Sequence, residues 1–359
     1  MSPTATRLTL IGLLLLAPAG ARGQDAIDPS ADPAAAALPD DPTMIAGSLA
    51  IRAVQGTKDG PAIGAAPIEV QLFHRNQAIE RFETHLDEHG VALLEGLPVG
   101  IGITPVVKIN HAGVFYQEVG PAMDASNRDA SMNIVVYETT DTPPDWHIVM
   151  RHVIVEPRPE GAMVSDMIVV ESGADRTWLG GAPDAEGKRT AVTAALPPLA
   201  TNVQLVQGFH GWCCTRIEGN TLAVQMPLMP GRARFHFTYD VPADGGRTDL
   251  RITAPRTIDQ VALFIPDDGT PVEPDGLEAR GTSTMGDTQV RLYNAEHVAQ
   301  GASAGIVLVG SAPGPGNQPP AAGSARTAQI VVIAGIGGII LIGIAMILRR
   351  KPPAAGADT

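Results

Sequence analysis

Between residues 46 and 310 no stretch sustains a 3.6-residue apolar repeat with helix-capping signals at its ends. The chain is written instead in short alternating runs, interrupted by Gly, Pro, Asn and Asp. Ile68-Glu69-Val70-Gln71-Leu72 is the cleanest of them and puts Ile68, Val70 and Leu72 on one face of a strand. In residues 233–239, Phe235, Phe237 and Tyr239 share one face, with Arg234, His236 and Thr238 on the other. Residues 106–109, 132–137, 146–155 and 261–265 are further β-rich runs. Many short strands between turn signals predict an all-β fold, a tandem β-sandwich.

Texture divides the chain. Residues 24–45 are rich in Ala, Asp and Pro without apolar periodicity, the composition of a disordered spacer. A first sandwich is expected over 46–140, closed by the turn-prone Thr139-Thr140-Asp141-Thr142-Pro143-Pro144. A second β-rich domain follows over 145–310, large enough to be two packed pieces meeting near Leu199. Residues 311–327 form a Pro/Gly-dense linker.

The two ends set the compartment. Residues 1–23 combine an early Arg7, the apolar run 8–16 and a small-residue exit at Ala21-Arg22-Gly23, the pattern of a secretory signal peptide. Residues 328–348 hold an uncharged apolar run from Ile330 to Leu348, long enough as a helix to cross a membrane. Arg349-Arg350-Lys351 follows it, against Arg326 alone before it, so the tail 349–359 is expected in the cytoplasm. The bulk of the chain is then expected outside the cytoplasm on a single-pass anchor, as a protein of a bacterial cell envelope. Net charge of −13 argues against a nucleic-acid partner, because a phosphate backbone needs a basic face.

In the first sandwich, Gly56-Thr57-Lys58-Asp59-Gly60-Pro61 precedes the 68–73 strand, and Asp87-Glu88-His89-Gly90 leads through alternating apolar positions to Leu97-Pro98. This order resembles the carboxypeptidase regulatory-like domains, a transthyretin-like family of seven-stranded β-sandwiches. The resemblance covers roughly 46–137, and it implies a structural or binding role with no catalytic residue. Gly60 and Gly90 are expected to take positive φ, Asp87 to bond the turn backbone, and Leu97-Pro98 to end an edge strand. Ala92 and Leu94 stand where the family often has aromatic residues, and Pro61 follows Gly60 without the family's intervening residue.

Few residues invite chemistry. Cys213 and Cys214 are the only cysteines, three residues after His210. Three readings stand: thiols buried in the Phe209–Trp212 turn or bridged as a structural pair, a redox pair, or a soft-metal site completed by His210. The structural reading is the expectation, with no metal and no cofactor bound. His85 and His89 flank a turn and His147 and His152 sit at odd spacing, on opposite faces of one strand; neither pair forms a convincing metal site. Met163, Met167, Met226 and Met229 are expected to fill core. Gly301-Ala302-Ser303-Ala304-Gly305 matches a nucleophile elbow in letters, but its β-like run follows the serine rather than preceding it. The expected function is therefore non-enzymatic, a membrane-anchored module that binds or supports an envelope protein or glycan. The alternative is a redox or metal accessory protein using the cysteine pair.

Overall fold

The computed structural model describes residues 45–310; the expected signal peptide, linker, membrane span and tail lie outside them, as does the expected spacer except for its last residue, Ile45, which opens the first strand. The first seven strands are β1 (Ile45–Gln55), β2 (Pro67–His74), β3 (Gln77–His85), β4 (Val91–Val99), β5 (Ile103–His111), β6 (Val114–Val119) and β7 (Asp129–Val136). They form two sheets, in the orders β4-β1-β7 and β3-β2-β5-β6. Within the first, β1 runs antiparallel to β4 with Ile51 opposite Ala92, and parallel to β7 with Ile51 opposite Met132. Leu49 and Ile51 from one sheet share a core with Ile68, Val70, Leu72, Val107 and Ile109 from the other. The phase expected for β2 is therefore observed. Its opposite face is closed as well, because Phe73 packs with Ala78 and Val106. Ala92 and Leu94 are buried despite their modest size.

The Asp87 turn forms as expected. Its Oδ1 accepts the backbone N–H of His89 and of Val91, each at 2.9 Å. Gly90 has φ 72°, and a Cβ there would stand 2.6 Å from the Ile63 carbonyl oxygen. Pro98 lies near the end of β4, an edge strand, where its missing N–H leaves no ladder bond open. Gly60 departs from expectation: positive φ falls one residue earlier, on Asp59 at 58°. Aspartate tolerates the left-handed region because its short side chain bonds locally.

Sixteen further strands follow. They are β8 (Thr139–Thr140), β9 (Trp146–Arg158), β10 (Gly161–Ser172), β11 (Thr177–Trp178), β12 (Val192–Ala195), β13 (Thr201–Gln207), β14 (Thr215–Glu218) and β15 (Thr221–Val224). Then come β16 (Gly231–Pro242), β17 (Arg247–Asp249), β18 (Ile252–Thr253), β19 (Ile258–Pro266), β20 (Val272–Asp275), β21 (Glu278–Met285), β22 (Thr288–Val298) and β23 (Ser303–Val309). A seven-stranded sheet in the order β13-β16-β10-β9-β19-β22-β21 forms one layer. Against it lie β12-β15-β14 and the group that β17, β18 and β20 make with β23. Residues on both sides of Leu199, from Trp146 and Ala195 to Val203 and Leu308, belong to one hydrophobic cluster. Phe235, Phe237 and Tyr239 all point into it, as their alternation predicts. The Pro266-Asp267-Asp268-Gly269 segment is a turn, with Asp268 accepting the Thr270 N–H at 3.0 Å. It is not a hairpin, because β19 enters it from the large sheet and β20 leaves it for the opposite layer.

The boundary hexapeptide is stitched to the second part of the chain. Thr139 and Thr140 pair in parallel with Thr177 and Trp178. The Tyr116 hydroxyl donates to the Tyr137 carbonyl at 2.9 Å, so at 2.8 Å it accepts from Thr177 Oγ1. Thr57 Oγ1 donates to the Asp175 carbonyl and accepts the Glu138 N–H, each at 2.8 Å. Leu179 packs onto the first core. Burial drives the Tyr116 phenol upward in pKa, offset in part by the bonds from Thr177 and Tyr137, so it stays protonated in this seam.

Candidate functional site

The cysteine turn connects the large sheet to the opposite layer. β13 ends at Gln207, Gly208 and Gly211 take φ 86° and 103°, and Trp212–Cys214 make one 3₁₀ turn before β14. Phe209 faces inward, its ring 5.2 Å from that of Phe235. Trp212 does not; it is 52% exposed. Cys213 is exposed and Cys214 is partly buried, which corrects the expectation that Phe209 and Trp212 would shield both thiols. The anchor Phe209 is spent on the core, and the residues after Gly211 turn outward.

Three bonds hold the backbone of this turn. Cys214 N–H donates to the Gly211 carbonyl at 3.2 Å, Gln225 N–H donates to the Cys214 carbonyl at 2.8 Å, and the Lys188 ammonium donates to the Cys213 carbonyl. Lys188 is itself placed by the Asp184 turn, whose carboxylate takes the Glu186 and Lys188 N–H groups and the side chains of Arg216 and Gln225. With the backbone fixed, the two Sγ atoms lie 3.0 Å apart. Burial is the largest influence on Cys214 and raises its pKa, followed by the neighbouring Cys213. The Cys213 thiol donates to the His210 carbonyl at 3.5 Å, but the exposed His210 ring does not join the sulfurs: among the described residues no three His, Cys, Asp or Glu side chains assemble as a metal cluster. The weak metal candidates Cys213, Cys214 and His210 thus resolve into a dithiol with the histidine apart.

The histidines of β9 require a correction. Val169 faces Met150 and Val170 faces Ile148, so Val149 is an extra residue and β9 bulges. His147 lies opposite Glu171 and His152 opposite Met167, two positions four apart on β10, so both histidines stand on the same outer face despite their odd spacing. They go to different partners. His147 pairs with Asp259 at 3.1 Å, and His152 packs edge-on against Phe264. Burial, with Arg234 nearby, lowers the His152 pKa to about 4. His85 and His89 are exposed, as expected. Met167 is buried and Met226 packs on the core, whereas Met229 is 37% exposed.

Three polar groups had no sequence signal. Arg151, in the core because the bulge shifts its phase, donates Nε to Asp166 Oδ1 at 3.2 Å and Nη2 to the Ala195 carbonyl at 2.9 Å. Tyr239 Oη donates to Asp166 Oδ2 at 3.1 Å. On the outer face Ser165 Oγ lies 2.8 Å from His236 Nε2, but each residue is only 7% exposed, which makes the pair a buried tie between β10 and β16. The third group lines a cleft of about 520 Å³ between Pro198-Leu199 and strands β17, β20 and β23. There Arg247 is paired with Glu273 and Arg251 with Asp249, and these bonds lower both carboxylates' pKa. Ser303, the serine of the apparent elbow, donates to Asp275 at 2.7 Å in the same region. Both guanidinium groups are already committed to carboxylates, so the cleft is polar without a free cation.

No family model matches the chain, and no curated protein matches it. Among solved structures, the full-length major pilin SpaD from Corynebacterium diphtheriae aligns over 72% of this chain and 84% of its own, at 11% identity and a TM-score of 0.19. An overlap that low does not establish a common fold.

Proposed function

We propose that this chain is a membrane-anchored, extracytoplasmic protein of a bacterial cell envelope, with a non-enzymatic binding or structural role. Its first sandwich serves as a transthyretin-like domain of the carboxypeptidase regulatory-like kind. The observation that carries the structural role is the seam. A parallel strand pair, the Tyr116–Thr177 bond and the Thr57–Asp175 bond tie the first core to the segment that leads into the second. Hydrogen bonds wholly or partly buried in this way resist hinge motion, since opening them leaves polar groups unpaired. Two sandwiches joined stiffly make a spacer that presents surface at a set distance from a membrane.

The apolar runs at 8–16 and 330–348 and the Arg349-Arg350-Lys351 cluster support the placement. A reporter active only in the cytoplasm, fused after Thr359, tests the orientation. Signal there fits the proposal. Silence, with activity from a periplasmic reporter at the same position, overturns it.

A further inference from the structure

The dithiol turn has a chemistry that a spacer does not need. Its backbone is clamped by Gly211, Gln225 and Lys188, while its sulfurs are 3.0 Å apart and one of them faces solvent. A disulfide bond is about 2.0 Å long, so closure brings the sulfurs together by roughly 1 Å. Adjacent Cα atoms stand about 3.8 Å apart across a trans peptide, below the span that bridged cysteines ordinarily keep. A bond closed here is correspondingly easy to reopen. Reachable closure and easy reopening together describe an exchanging pair rather than a permanent staple.

We propose that Cys213 and Cys214 form a reversible thiol–disulfide exchange site, with Cys213 as the attacking thiol and Cys214 as the resolving one. Cys213 is the exposed member and meets the co-reactant, an external low-molecular-weight disulfide. Its thiolate attacks one sulfur of that disulfide, a mixed disulfide forms on Cys213, and the first external thiol leaves. The Cys214 thiolate then attacks the Cys213 sulfur, closing the Cys213–Cys214 bond and releasing the second external thiol. The two protons of the cysteine thiols end on the two released thiols, and two electrons pass from the pair to the external disulfide. Partial burial raises the Cys214 pKa and leaves the first attack to the exposed Cys213, while the Lys188 ammonium beside the turn works against that rise and favours the Cys214 thiolate in the second step. The order follows from exposure, and the sulfur separation makes the second step intramolecular.

The remaining surroundings fit this assignment. His210 stays outside the pair, so a third ligand for a soft metal is not in place. Trp212 is 52% exposed beside the sulfurs, while Trp146 and Trp178 are at 3% and 5%, which gives the site its own fluorescent reporter. Thiol exchange at this turn is independent of the envelope role.

The full-length protein, purified reduced in mild detergent, is treated with glutathione disulfide and digested with trypsin. Both cysteines fall in one peptide, residues 190–216, because no Lys or Arg interrupts it. The expected result is loss of two hydrogens from that peptide, reversed by reduced glutathione, with a change in Trp212 emission that follows the mass change. Cys214→Ser should hold glutathione on Cys213 as a lasting adduct, and Cys213→Ser should react much more slowly. Neither change touches the core, and circular dichroism should match the wild type. Thiols that stay reduced, a lasting glutathione adduct on the wild type, or an intermolecular dimer would each overturn the proposal. So would a soft metal bound near one equivalent and lost when both cysteines are replaced by Ser.

Discussion

Replacing Arg151 by Met removes a buried cation while keeping much of its stem. In the native protein Arg151 is 2% exposed and Asp166 is fully buried. The Asp166 carboxylate takes two bonds from the guanidinium and one from Tyr239, and the Ala195 carbonyl takes another from Arg151. After Arg151→Met, Asp166 is left with one neutral donor in an apolar core and the Ala195 carbonyl loses its partner. Breaking a buried pair from one side costs about 3–5 kcal/mol. Removing both charges is a different matter, because the desolvation that opposed their attraction disappears too. Arg151→Met with Asp166→Leu should therefore cost clearly less than the single replacement, its gain from removing both charges being offset by about 1–3 kcal/mol for each of the Tyr239 hydroxyl and Ala195 carbonyl left without a partner. Arg151 also keeps Nη1 buried without a hydrogen-bond partner, a further reason to expect little net gain from the native pair. Urea unfolding followed by tryptophan fluorescence measures this directly, since Trp146 and Trp178 both lie in the second core. A single replacement costing less than about 1 kcal/mol, or a double replacement as costly as the single, would refute the reasoning.

Leu72→Ala, in the first core, should cost about 2–5 kcal/mol, and a neutral result would show that the β2 phase is misassigned. Gly90→Ala should destabilise by about 1–2 kcal/mol from positive φ alone, and by more from the Ile63 carbonyl; urea midpoints of the two proteins decide it. Thr177→Val leaves the Tyr116 hydroxyl without its donor and should cost about 1–3 kcal/mol, with earlier proteolysis between residues 137 and 146; unchanged proteolysis would argue against a stiff seam. His152 has a folded pKa of about 4 against about 6.5 unfolded, so the unfolded chain binds more protons between those values. Its contribution is fully present above pH 6.5 and is lost as pH falls towards 4, by about 3 kcal/mol. His152→Gln should flatten that part of the stability profile, and an unchanged slope would place the titration elsewhere.

Local pattern carried the strand phases. Period-two alternation located the inward faces of Ile68, Val70 and Leu72 and of Phe235, Phe237 and Tyr239, because one face of each strand is core. The Asp87 turn was equally legible, since Asp and Gly have a specific stereochemical reason to be there. What failed depended on one-residue shifts and distant partners. A single extra residue at Val149 turned His147 and His152 onto one face and sent Arg151 into the core. The exposure of Cys213 follows from Phe209 being drawn to Phe235 and Phe237, more than twenty residues away in sequence. The charged cleft gathers residues from 198 to 307, which no short motif could announce.

The central claim is that residues 45–310 lie outside the cytoplasm and the tail lies inside. The chain carries four lysines, Lys58, Lys108, Lys188 and Lys351, three in the described region and one just after the apolar run. A membrane-impermeant amine reagent applied to spheroplasts, followed by peptide mass mapping, reads both sides at once. The account predicts labelling of the exposed Lys58 and Lys188 in intact spheroplasts, and labelling of Lys351 only after the membrane is opened. Lys351 labelled in intact spheroplasts, or Lys58 and Lys188 protected until lysis, would contradict it.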